Sequence, residues 1–133
     1  MALNQVRDTL TTVYDQDKRR LLSALSHGSI FFSTLMFSIG IPIATLFISD
    51  DPVVKANAKE AINFSFNVWL WGAILALIVG VWSVLTLGLL TFLLFPLIAL
   101  GFIWHWGFSV WAIMSTLNNP NEPFRYPFIL RLI

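Results

Sequence analysis

Between Ala61 and Asn121 the chain contains no Asp, Glu, Lys or Arg, a run about three times as long as the 20 or so residues that one membrane-crossing helix needs. A second uncharged block, Leu21 to Ser49, precedes it. All charge is therefore confined to residues 1–20, 50–60 and 122–131. A water-soluble domain needs about 25% charged residues to cover its surface, and this chain has 11% against 57% hydrophobic. The pattern predicts an all-α polytopic integral membrane protein.

The 133 residues suffice for one compact helical domain, residues 21–133, preceded by an N-terminal segment, residues 1–20. In that segment Leu3, Val6, Leu10 and Val13 recur at helical spacing. They suit an amphipathic helix lying at the membrane interface, although Thr9, Thr11 and Thr12 weaken helix propensity and leave a frayed tail as the alternative. The apolar run from Leu21 is longer than a signal-peptide core and follows three acidic residues, so retention of the N-terminus is expected.

Leu21–Ser49 is long for one span and short for two, with Gly40-Ile41-Pro42 near its middle. A single crossing would put Lys18-Arg19-Arg20 opposite Lys55 and Lys59. A reversal at Gly40–Pro42 would gather all eight basic residues on one side, as the positive-inside rule favours. The expectation is a short bent helical pair that dips in and returns, with its irregular backbone packed against protein. Asp51-Pro52 then caps a long helix. A turn at Thr86-Leu87-Gly88 leads to a last span over roughly Leu93–Leu117, which Asn118–Pro123 ends. Together these make a four-helix-type bundle: the bent pair plus a transmembrane hairpin, with both termini cytoplasmic.

Several residue sets carry candidate roles. Lys59, Asn63 and Asn67 fall at i, i+4, i+8, a polar stripe that must turn away from lipid. It reads as an interhelical hydrogen-bond seam, or as one wall of a polar path. Gly72, Ala76 and Gly80 form a small-residue row that lets a neighbouring backbone come close. Trp104, Phe108 and Trp111 form an aromatic docking face. Between them in depth sits His105, with Gly101 and Ser109 one turn away on either side. His105, and His27 among Ser23, Ser26 and Ser29, would be the ligands if a haem or chlorophyll were bound; hydrogen bonding to a neighbouring helix is the plainer alternative.

The chain shows no paired carboxylates, no serine–histidine arrangement and no phosphate-binding glycine loop, so no enzyme is expected. The net charge of +1 offers no nucleic-acid surface, and the absence of cysteine excludes thiol chemistry. All seven acids lie outside the apolar blocks, which argues against a proton-coupled transporter.

Three segments carry a family resemblance: Ser23-Ala24-Leu25-Ser26-His27, then Lys59-Glu60-Ala61-Ile62-Asn63-Phe64, and Arg125-Tyr126-Pro127 followed by Arg131-Leu132-Ile133. With the hydropathy pattern, the chain resembles a bacterial family related to the twenty-kilodalton membrane component of the chloroplast inner-envelope protein translocon. The resemblance implies a plasma membrane or cyanobacterial thylakoid location and a relation to preprotein translocation; it implies no catalytic residues. The residues themselves point to a non-catalytic subunit or assembly factor, whose partners are the bilayer and other membrane-protein subunits. A translocation component, or a pigment- or haem-binding subunit, are the alternatives.

Overall fold

The computed structural model describes Ala2 and residues 15–32 and 35–133, with backbone alone at 35–37. The interfacial helix expected from Leu3, Val6, Leu10 and Val13 lies outside these residues. Among the described residues the chain is all-helical: α1 (Gln16–Gly28), α2 (Leu35–Ile48), α3 (Pro52–Leu85) and α4 (Phe95–Asn118). Helices α3 and α4, the latter with its preceding 3-10 turn Thr91–Leu94, are long and apolar enough to cross a membrane.

Each start has a local cause. Asp15 accepts from the backbone N–H groups of Asp17 and Lys18 and so caps α1. Asp51 accepts from Val53 N–H at 2.9 Å and caps α3, while Pro52 occupies the first turn, where its missing donor costs nothing. At 34 residues α3 is about 51 Å long, at 1.5 Å per residue.

The far turn of the hairpin is apolar, and it satisfies itself. Leu87 and Gly88 take left-handed conformations (φ 52° and 81°), which lets Gly88 N–H reach Ser83 O at 2.7 Å. Trp82 Nε1 donates to Leu90 O, and the Ser83 and Thr91 hydroxyls meet at 3.0 Å. The last helix starts at Phe95, two residues later than the expected Leu93, because Thr91–Leu94 winds as the tighter 3-10 form.

The reversal expected at Gly40–Pro42 is not there. Helix α2 runs through both residues, and the break between α1 and α2 lies earlier in the chain, beyond a 3-10 turn at Ser29–Phe31. Proline in a helix frees the carbonyl four residues back, here that of Ser38. Ser29 Oγ reaches that oxygen at 2.9 Å and Ser65 Oγ at 3.4 Å. The Ser29 hydroxyl, whose one proton is shared with the Ser26 carbonyl at 2.7 Å, and the more distant Ser65 hydroxyl stand in part for the missing amide, and Pro42 is fully buried.

The packed core lies at one end. Ile30, Phe64, Ala112, Phe124, Tyr126 and Ile129 form it, with Val68, Trp104 and Phe108 against them. Residues 119–133 fold back into it along α3, and Tyr126 stacks on Phe64 at 4.0 Å between ring centroids. Towards the Leu87 turn the hairpin stands bare: none of the most apolar stretch of α3 is buried, and 6% of that of α4.

The Ser38 carbonyl gives a direct test. Replacing Ser29 and Ser65 together by alanine should destabilise the protein by about 1–2 kcal/mol in reversible unfolding, through loss of the two hydroxyl contacts to that carbonyl. In a Pro42→Ala background the restored amide donor should remove most of that penalty, leaving a positive coupling in the double-mutant cycle.

Candidate functional site: a polar seam that holds the C-terminal segment

Asn57, Glu60, Asn63 and Asn67 lie on one face of α3 and are all buried. They face the non-helical backbone of residues 124–133, which turns at Pro127–Phe128 (Phe128 φ 57°), and pair with several of its peptide groups. Asn57 Oδ1 accepts from Phe124 N–H at 2.9 Å, and Glu60 Oε1 from Tyr126 N–H at 2.8 Å. Asn67 grips Leu130 at both ends, accepting from its N–H at 2.9 Å and donating to its carbonyl at 2.7 Å. Asn63 accepts from Leu132 and Ile133 and donates to the Ile133 carbonyl.

His27 closes this network from α1. Asn57 Nδ2 donates to Ser23 Oγ and Val53 O, so Asn57 Oδ1 is the acceptor facing His27 Nε2 at 2.9 Å. The imidazole proton therefore sits on Nε2, and Nδ1 accepts from the Tyr126 hydroxyl at 3.0 Å. Both ring nitrogens are engaged. Burial pushes the His27 pKa down to about 4, against smaller opposing effects from Asn57 and the Glu60 charge. Burial, reinforced by Glu60, raises the Tyr126 hydroxyl well above its ordinary value.

Glu60 is itself held by Arg131. The guanidinium donates through Nη2 to Oε1 at 2.6 Å and through Nε to Oε2 at 3.1 Å, and also reaches the Tyr126 carbonyl. This two-point pairing fixes direction as well as charge, and the hydrogen bond to Glu60 raises the Arg131 pKa. A second ion pair, Arg19–Asp51 at 2.5 Å, ties α1 to the cap of α3.

Of the stripe read from the sequence, Asn63 and Asn67 stand in this seam while Lys59 points to the exposed side. The seam's partner is a non-helical segment, where a helix was expected. Asn57 and Glu60 complete it; their spacing of three from each other and from Asn63 was the available signal. Gly72, Ala76 and Gly80 are exposed, and a Cβ at Gly72 or Gly80 would meet nothing within 4 Å. Trp104 packs near Phe64 and Trp111 near Phe124, with Phe108 between them, so the aromatic row is turned partly inward. His105 stacks on Trp106 at 4.5 Å. It borders an apolar groove of about 710 Å³ between α3 and α4 that Val68, Trp71, Leu75, Gly101 and Phe128 also line. Its Nε2 is buried without a hydrogen-bond partner among the described residues. The two histidines thus occupy separate surroundings. Among the described residues no group of three or more His, Asp or Glu side chains is placed to hold a metal ion.

Two outcomes are expected. Asn67→Ala strands both polar groups of Leu130 and should cost about 1–3 kcal/mol for each, whereas Lys59→Ala should stay within about 0.5 kcal/mol; reversible unfolding in detergent compares them. Because the His27 pKa is lower in the folded than in the unfolded chain, the unfolded chain takes up a proton first as pH falls. The His27 contribution should be intact above pH 6.5 and decline towards about pH 4. His27→Ala should lose that part of the pH dependence.

No curated protein and no solved structure matches the chain. The magnetosome magnetite crystal formation protein family (MamF/MmsF) matches residues 18–133. This overturns the translocon-related assignment, and with it the cyanobacterial and thylakoid placement. Glu60, Asn63, Tyr126 and Arg131, which carried much of that resemblance, hold the terminal segment to α3. They report a way of folding and carry no information about preproteins. With nearly its whole length matched, the chain belongs to the magnetosome magnetite crystal formation protein family.

Proposed function

We propose that the protein is a non-catalytic accessory subunit of the magnetosome membrane, which serves magnetite crystal formation by holding other membrane proteins in place. The observation that carries this reading is the bare half of the hairpin. Beyond Trp71 on α3 the side chains, apart from Ser83, are apolar and mostly exposed, and the row Gly72, Ala76, Gly80 lies open along them. Small residues in rows of this kind let helices approach closely in lipid, where packing replaces the hydrophobic effect as the driving force.

The polar groups support the same division of labour. Glu60 and Asp51 are committed to arginines and to backbone donors, and His27 has no free nitrogen. These groups hold the fold together and leave the hairpin as the surface for association. In this reading α3 and α4 cross the bilayer. The α1–α2 pair and the terminal segment enter it from the basic side, and the positive-inside rule supports a cytoplasmic position for that side.

Co-purification in mild detergent tests the association surface. Gly72→Leu with Gly80→Leu fills open space, so the fold and thermal stability should be retained while membrane-protein partners are lost. Recovery of the same partners by the substituted chain, at equal expression, would sink the reading.

A further inference from the structure

The two ends of the molecule differ in how many chain segments they contain, and the boundary falls near the middle of the hairpin. At the basic end α1, α2, α3, α4 and residues 119–133 lie side by side. Among the described residues, three contacts show how far the added segments reach. Phe31, in the turn after α1, meets Trp106 with ring centroids 5.0 Å apart, and Trp106 is halfway along α4. Ser29 and Ser65 meet at the Ser38 carbonyl. Phe128, the tip of the terminal segment, reaches the groove beside Trp71 and His105. Past this level only α3 and α4 continue among the described residues. From Asn67 to Leu85 α3 runs a further 27 Å or so, most of the roughly 30 Å hydrocarbon core, so the added segments sit in the outer part of one leaflet, at the depth of interfacial elements.

The added segments are built for lipid on their outer side. Leu21, Leu25, Phe32, Ile43, Phe47 and Leu130 are all exposed, whereas their inner side carries Ser23, Ser26, His27, Ser29 and Thr45, all buried. A surface this apolar would be a liability in water. In hydrocarbon it is ordinary, and the polar groups are satisfied inside, as the medium requires.

We infer that the protein is a wedge that occupies one leaflet more than the other, and so favours and stabilises curved membrane with the basic end on the convex face. Two extra helices about 10 Å across, with the terminal segment beside them, add on the order of 200 Å² to one leaflet alone. An area excess in one leaflet is relieved when that leaflet is the outer one of a small vesicle, and partition of leaflet-inserted elements is curvature-sensitive on the same grounds. Lys18, Arg19, Arg20, Lys55, Lys59, Arg125 and Arg131 all lie at the wide end. By the positive-inside rule the wide end is cytoplasmic, so the favoured shape is a membrane bulging towards the cytoplasm. The partner is the lipid surface itself. The inference rests on the reading that α3 and α4 cross the bilayer.

The chain has no cysteine, so single reporters can be placed without background. Glu122→Cys marks the wide end, and Leu89→Cys the far turn, where Leu89 is exposed. The full chain is reconstituted into vesicles of mixed size and labelled from outside with a membrane-impermeant dye, and dye per lipid area is read vesicle by vesicle. Between diameters of roughly 400 nm and roughly 50 nm, the Glu122→Cys signal should rise about two- to threefold and the Leu89→Cys signal should fall. Flat profiles, or the same slope for both reporters, would overturn the wedge. In the double variant, two dyes on one molecule from outside would show that the hairpin does not cross, a failure of the underlying reading that the slopes alone would not report.

Discussion

The pairing between the α3 side chains and the backbone of residues 124–133 is what the rest of the structure depends on. An extended segment carries an unsatisfied donor and acceptor at every residue, and in hydrocarbon each costs several kcal/mol. A helix meets that demand internally; an extended segment has to find partners elsewhere. Asn57, Glu60, Asn63 and Asn67 supply partners for the amides of Phe124, Tyr126, Leu130, Leu132 and Ile133, from positions three and four residues apart on one face of α3. Tyr126 and Phe124 can then reach the core, and Tyr126 in turn fixes His27 and with it the inner face of α1. The seam thus fixes the terminal segment, and the segment fixes the packing of the helices around it.

The same rule operates at Pro42. Its ring removes the amide that would ordinarily serve the Ser38 carbonyl, and the Ser29 and Ser65 hydroxyls approach that oxygen from two other elements. A residue that breaks helices in water is here absorbed into one, because three segments converge on a single oxygen. Charge is handled in the same fashion. Glu60 is almost fully buried, and a lone carboxylate there would be costly. Arg131 and the Tyr126 amide give it three close donor contacts, so the ion pair works as an anchor for the terminal segment. Its contribution is to specify where that segment lies.

Much of the helical plan was legible because it follows from local chemistry. The lack of charge between Ala61 and Asn121 marked the hairpin, Asp51-Pro52 marked its start, and Thr86-Leu87-Gly88 its turn. What was not legible was set by contacts distant in sequence. Nothing near Pro42 discloses that hydroxyls at positions 29 and 65 will stand in part for its lost bond, so the reversal was expected in the wrong place. The polar stripe was visible at Asn63 and Asn67. Its partner was hidden, because backbone amides leave no trace in side-chain patterns. Lys59 entered the stripe by spacing alone, though its side is exposed. Family identity failed for a related reason. The quoted motifs coincide with seam residues, and residues that secure a fold are a poor guide to what the fold is used for.

The seam and the bare hairpin are consequences of one allocation. The chain places its buried polar residues, Ser23, His27, Asn57, Glu60, Asn63 and Asn67 among them, at one end of its long helices. That end can therefore organise five segments around a specific network. Beyond His105, the described residues of the other end include no buried polar side chain with which to recruit a further segment, and in lipid apolar side chains alone gain little by meeting each other. Within one chain it stays two helices wide. A surface of this kind gains most from a partner that supplies close backbone contact or hydrogen bonds, and Gly72, Ala76 and Gly80 present the row where such contact is sterically open. In the proposed reading, the asymmetry that shapes the molecule in the membrane also determines which end is left free to assemble.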